Sequence, residues 1–197
     1  DSTSNSVLVT GSSSLWTNSG ILYVGDYGRS NSLVISNAGT VANANVYIGY
    51  ASNSAGNNVL VTGTGSVLVT ETGSFSTNSN DLSVGEAGSG NSLVISNGGT
   101  VVNAAGTIGN TTTASNNSVL VTGSSSLWTN SNLLMVGNNG AGNSLIISNG
   151  GTVAVGASAI GVYATSSNNS VLVTGANSLL TNSSALYVGY EGSGSSL

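Results

Sequence analysis

The chain reads as an all-β protein, a parallel β-solenoid (β-helix) of about seven coils with three short strands in each 26-residue coil. Three observations lead there. The segment Asn5-Ser-Val-Leu-Val-Thr-Gly11 returns at Asn57, Asn117 and Asn169, at spacings of 52, 60 and 52 residues. The segment Asn31-Ser-Leu-Val-Ile-Ser-Asn37 falls 26 residues after the first and repeats at Asn91 and Asn143. Apolar residues come in runs of three to five bounded by Gly, Ser, Asn and Thr, which suits strands and is too short for helices. A fixed period of this size marks a stacked repeat, because one unit cannot bury its apolar face without neighbours.

Each coil is read in the same order. Its first strand is a triplet such as Val7-Leu-Val9. Successive side chains of a strand point to opposite faces, so the outer members go inward and Val7, Val9, Leu33 and Ile35 are expected in the core. The middle members then form an outward aliphatic column of Leu8, Val34, Leu60, Val94, Leu120, Ile146 and Leu172. Asn37, Asn97 and Asn149 follow the first strand in alternate coils. The second strand begins with pairs such as Leu15-Trp16, and a second outward column of Trp16, Trp128 and Leu180 is expected. Asn18, Asn78, Asn130 and Asn182 close that strand. They are expected either as coil-to-coil amide ladders or as turn formers that tolerate a left-handed backbone. The third strand, Ile21-Leu-Tyr-Val24 in the first coil, places Tyr23, Tyr47, Met135 and Tyr187 in a third outward column. Gly25, Gly49, Gly85, Gly109, Gly137, Gly161 and Gly189 end it, where a positive φ or a close backbone approach is expected.

The domain organisation is a single repetitive unit over 1–197, with 52-residue double repeats starting near 5, 57, 117 and 169. The 60-residue spacing holds one duplicated octad, since Val59-Leu-Val-Thr-Gly-Thr-Gly-Ser66 is followed by Val67-Leu-Val-Thr-Glu-Thr-Gly-Ser74. Either copy is expected to form an extra strand or protruding turn, with the stack back in register by Leu93, because a slip of one residue turns every inward side chain out. The expectation for the whole is a window on a longer or polymerised array.

Composition removes several functions. Of 197 residues 38 are Ser, 29 Gly, 27 Asn and 20 Thr, and Lys, His, Cys and Pro do not occur. A net charge of −5 with one cation leaves nothing to neutralise phosphates, which argues against nucleic acid and anionic membrane surfaces. No apolar run approaches the roughly 18 residues of a membrane-spanning helix. The Ser and Thr hydroxyls have no His or Lys to activate them. Asp26 and Glu86 follow equivalent glycines two coils apart, without a cationic or aromatic cluster to hold a sugar. Asn97-Gly-Gly-Thr100 and Asn149-Gly-Gly-Thr152 begin like calcium-binding repeats, but no Asp follows. Asp26 and Arg29 are spaced to pair across a turn. No catalytic residue, metal site or cofactor is expected.

The consensus N-S-V-L-V-T-G-S-S-S-L-W-T-N-S-x-x-L-Y-V-G, followed by G-N-S-L-V-I-S-N-G-G-T-V, resembles the repeat associated with type V secretion (autotransporter) and PEP-CTERM surface proteins of bacteria. Leu15-Trp-Thr-Asn18, Tyr23-Val-Gly25 and Asn97-Gly-Gly-Thr-Val101 carry the likeness, which covers essentially the whole chain. The resemblance implies an exported passenger region on the bacterial exterior. The departures are Ser76 and Leu180 where the repeat has Trp.

The functional expectation is a structural protein of a bacterial surface, a stalk, fibre or surface-layer element for adhesion or self-association. Its partners are copies of itself or neighbouring surface molecules, joined through the aliphatic column. The alternative is an ice-binding or carbohydrate-binding solenoid, with ice or glycans as the partner.

Overall fold

The computed structural model describes residues 2–70 and 81–197. Every strand pairing within them is parallel, and every pairing joins one coil to the next. The described residues thus form a β-solenoid of about seven turns. The first arms, Ser6–Thr10, Ser32–Ser36, Asn58–Thr62, Ser92–Ser96, Ser118–Thr122, Ser144–Ser148 and Ser170–Thr174, make one seven-stranded sheet in that order. Their inner residues are the predicted ones: Leu33, Ile35, Val59, Val61, Leu93, Ile95, Val121, Leu145 and Ile147 are sealed from solvent. Val7 points the same way yet is 43% exposed, and Val9 is half-buried, because no described strand stacks on the free side of the first coil.

The second and third arms share one sheet. In four coils they run together as one strand, Leu15–Val24, Thr40–Ile48, Leu127–Val136 and Thr152–Ile160, with the bend marked by a register shift between Asn18 and Ile21 or between Asn130 and Leu133. In the other three they separate, as in Thr100–Asn103 and Ala105–Ile108. Parallel pairing continues through the bend because these residues still meet partners at matching positions on the adjacent coil.

The expected outward column of Trp16, Trp128 and Leu180 is corrected by the fold. Register places them in line with Val41, Leu68, Val101 and Val153, all inward and buried. Trp128 is the largest fully buried side chain, and Trp16 and Leu180 pack against the core. The turn before this arm inverts the alternation, so Leu15 and Leu179 stand outside instead. Trp128 Nε1 donates to Asn103 Oδ1 at 2.7 Å, which satisfies the one polar atom the ring takes inside.

Odd and even coils reach 26 residues by different routes. From Val9 to Trp16 is seven residues and from Ile35 to Val41 six; from Trp16 to Leu22 is six and from Val41 to Val46 five. The last turn compensates, with eight residues from Val24 to Ser32 and ten from Ile48 to Asn58. The two turn types are complementary. Thr10 Oγ1 in an odd coil accepts from Ser36 Oγ and Asn37 Nδ2 of the following even coil at 2.9 and 3.0 Å, and Thr62 and Thr122 repeat the pair. On its other side the even turn donates Ala38 N, Gly98 N or Gly150 N to a Ser Oγ of the next odd coil, each at 3.1 Å. The 52-residue period is the repeat of this two-part fit.

The duplicated octad enters at the second bend of the third coil. Val59 stays in the first arm, stacked between Leu33 and Leu93, so the stack is in register by Leu93 as expected. Val67–Val69 takes the second-arm place, with Leu68 sealed between Val41 and Val101. From Leu68 to Leu82 is 14 residues against six from Trp16 to Leu22, so the surplus falls after Val69. The two copies are therefore not interchangeable. One forms first arm, and the other supplies the Leu that stands in for Trp.

Two measurements follow. Removing residues 71–78 should leave the melting temperature near that of the parent, whereas removing residues 67–74 brings Ser76 to the place of buried Leu68 and should cost about 2–4 kcal/mol; equal losses would contradict the placement. Removing one coil, residues 117–142, sets an even turn on an even turn. It should lower the melting temperature more than removing two coils, residues 117–168, and the opposite order would refute the pairing rule.

Candidate functional site

The first-arm sheet presents the most regular surface. Strand alternation sends the second and fourth residues in and the first, third and fifth out. The outward face consists of three parallel ranks: Ser or Asn, then an aliphatic side chain, then Thr or Ser. Leu8, Val34, Leu60, Val94, Leu120, Ile146 and Leu172 are in register neighbour to neighbour. The five inner members are half-buried by one another, and Leu8 and Leu172 are 63% and 51% exposed. The Thr/Ser rank is held by the Ser-to-Thr bonds between odd and even coils, so its hydroxyls are ordered relative to the sheet.

None of the described charges lies on that face. Asp26, Arg29, Glu86 and Glu191 sit in turns after the third arm, and Asp81 starts a third arm. Arg29 Nε donates to the Asn53 carbonyl at 3.1 Å, rather than to Asp26. Glu86 Oε1 accepts from Asn110 Nδ2 at 2.7 Å, and Asn110 Oδ1 accepts from Asn138 Nδ2 at 2.7 Å, so this carboxylate ends a short amide chain. Among the described residues no three acidic, His or Cys side chains gather as a metal site would need, and no helix is long and apolar enough to cross a membrane.

The third-arm column is outward as expected. Tyr23 stacks on Tyr47 at 5.6 Å, and Tyr50 packs edge-on to both at 5.0 and 5.3 Å. Tyr187 and Tyr190 make a similar edge contact at 5.3 Å. Burial, then the carboxylates of Glu86 and Asp81, push the Tyr47 phenol above its ordinary range. The phenol stays neutral in the fold, so any stability it contributes is lost only as pH rises past about 10. A cavity of about 390 Å³ opens beside Trp16, Tyr23 and Tyr27 at the first coil, where the core meets the surface.

The turn positions behave as follows. All seven predicted glycines have positive φ, between 67° and 82°. At Gly85 a Cβ would come within 2.2 Å of Asn117 Nδ2, so glycine there serves a close approach as well. Asn37, Asn97 and Asn149 are left-handed, at 51–52°, and also donate to the Thr of the preceding coil, so they are turn formers bonded to a neighbouring hydroxyl and not rungs of an amide ladder. Asn130 accepts from Asn103 Nδ2 and Asn182 from Ser158 Oγ, while Asn18 folds onto its own bend, bonding Gly20 N and the Ile21 carbonyl. The Asn130 and Asn182 bonds thus join neighbouring coils and the Asn18 bonds are local, and together they do not run into one continuous ladder; Asn78 lies outside the described residues.

The continuous ladder is made by the residue that opens every repeat. Asn5, Asn31, Asn57, Asn91, Asn117, Asn143 and Asn169 form an unbroken file, each Nδ2 and backbone N donating to the Oδ1 of the next at 2.8–3.1 Å. From Asn57 onward the file is fully buried against the glycine column. Its occurrence at the start of all seven repeats was the available signal. The file stops at Asn169, whose Nδ2 has no partner where Ser195 takes the next place.

No family model, curated protein or solved structure matches the chain.

Asn117→Ala should cost about 2–4 kcal/mol, because it strands the buried amides of Asn91 and removes a donor to Asn143. Ser195→Asn should raise stability by about 1 kcal/mol by extending the file. Denaturant melts of the two variants check this, and an Asn117→Ala chain as stable as the parent would show that the ladder carries no weight.

Proposed function

We propose that the chain is a mechanical element of a bacterial surface, a rod segment of a stalk, fibre or surface layer, and that it works by shape and contact rather than by catalysis. The observation that carries this reading is the unbroken stack. Core, amide file and backbone pairing run through all seven coils and hold register past an eight-residue insertion. Such a stack resists bending because each coil is bonded across its arms to both neighbours. At about 4.8 Å per coil the seven coils stack to about 34 Å, and further coils would lengthen the stack into a rod without changing its section. The resemblance to autotransporter and PEP-CTERM surface repeats supports an extracellular place. The absence of Cys and Lys means that neither disulfides nor lysine chemistry is needed to hold it.

The ordered hydroxyl ranks beside the aliphatic column favour a second reading, binding of ice or glycans on the same flat face. Ice-crystal shaping or retention on a polysaccharide column by the purified chain would select it.

Electron microscopy of the native material should show filaments or a lattice with thin, straight segments. Native material lacking any extended structure would overturn the mechanical reading.

A further inference from the structure

We infer that the first-arm face is a seat for a second copy of this chain, packed sheet to sheet, and that the strength of the contact is set by how many coils face each other. The inference rests on the mechanical reading and names its partner. Charge selects the occupant. The chain carries a net charge of −5, so two copies repel, yet no strand of this face holds a charged residue. The described charges sit in or beside the third arm. The first-arm face therefore lets like-charged copies meet without burying an acid.

Geometry sets the fit. Two such faces related by a two-fold axis put aliphatic rank on aliphatic rank and hydroxyl on hydroxyl, at the roughly 10 Å separation of packed sheets. Area sets the strength. The outward triplet spans about 13 Å and seven coils about 34 Å, so each copy covers about 450 Å², or about 900 Å² in all. That is below the roughly 1,200 Å² at which specific pairs become stable. A seven-coil pair is accordingly weak and reversible, while each coil added to both partners enlarges one rigid contact and multiplies its affinity. Short segments remain separable, and long arrays bundle.

The test uses the full chain. Sedimentation across concentrations from about 10 μM to 1 mM should show the mass rising towards that of a dimer. Val94→Glu with Leu120→Glu should weaken association at least tenfold, whereas Ser131→Glu, one acid added on an exposed bend away from the face, should leave it as in the parent. Circular dichroism confirms that each variant is folded. If the glutamates prevent folding, Val94→Cys serves, since the chain has no other cysteine. Val94 lies in the fourth of seven coils, so parallel and antiparallel pairing both bring two copies of this position opposite each other. A short bismaleimide should then link the Val94→Cys chain into dimers and leave the Ser131→Cys chain monomeric. A parent chain that stays monomeric at 1 mM, glutamate variants that associate like the parent, or cross-linking at 131 but not at 94 would each overturn the proposal. The extended form of the native material in micrographs is read separately, so losing the pairing of the chain in solution does not by itself remove the mechanical reading.

Discussion

Coil-to-coil register is the constraint on which everything else in this molecule depends. A parallel strand pair satisfies its backbone only if its partner lies at the same height, and here that condition holds on every arm of every coil. The amide file enforces it at one corner. Each buried Asn Oδ1 accepts both a side-chain and a backbone N–H from the coil before, so a displaced coil would leave several buried donors without acceptors. The glycine column beside it keeps that corner open, because a side chain there would occupy the space of the amide.

Register tolerates variation in length as long as the arms are left alone. Odd and even coils distribute their residues differently among the three turns and still arrive together, because the surplus at two bends is removed at the third. The insertion in the third coil follows the same logic. Its extra residues enter between two arms, and the displaced Trp position is refilled by Leu68, which pairs at the same height as Val41 and Val101. Length varies at bends where water meets the polar groups; arms do not vary, because their inner faces and both their edges are occupied.

The outer surface inherits its order from the interior. Since inner residues stack at the strand repeat, so must the outer ones, and a sequence that repeats its core automatically repeats its surface. The straight aliphatic rank flanked by hydroxyls is such a consequence. A scattered set of seven exposed aliphatics would carry no meaning. Aligned on one uncharged face of an acidic molecule, they make the surface on which the functional reading turns.

Much of this was decided by the sequence without help. The 26-residue spacing of Asn5, Asn31 and their successors dictates stacked parallel coils, because a repeated unit stacks on its copies, and two-residue alternation in V-L-V assigns the aliphatic column outward, because that period belongs to the extended backbone itself. Three matters were decided only by the tertiary structure. The direction of Trp16 and Trp128 depends on how the preceding turn rotates the chain, which local alternation within a two-residue run does not contain. The separate fates of the octad copies depend on which copy meets Val41 and Val101 across the stack. The choice of the repeat-opening Asn as the continuous ladder, over the Asn after the second arm, depends on which corner leaves room for a carboxamide, and that room is made by glycines more than thirty residues away in the chain, as Gly25 beside Asn57 and Gly85 beside Asn117. Position along the chain is a one-dimensional fact; which side of a wall a residue stands on, and what stands beside it, is settled by the closing of the coil.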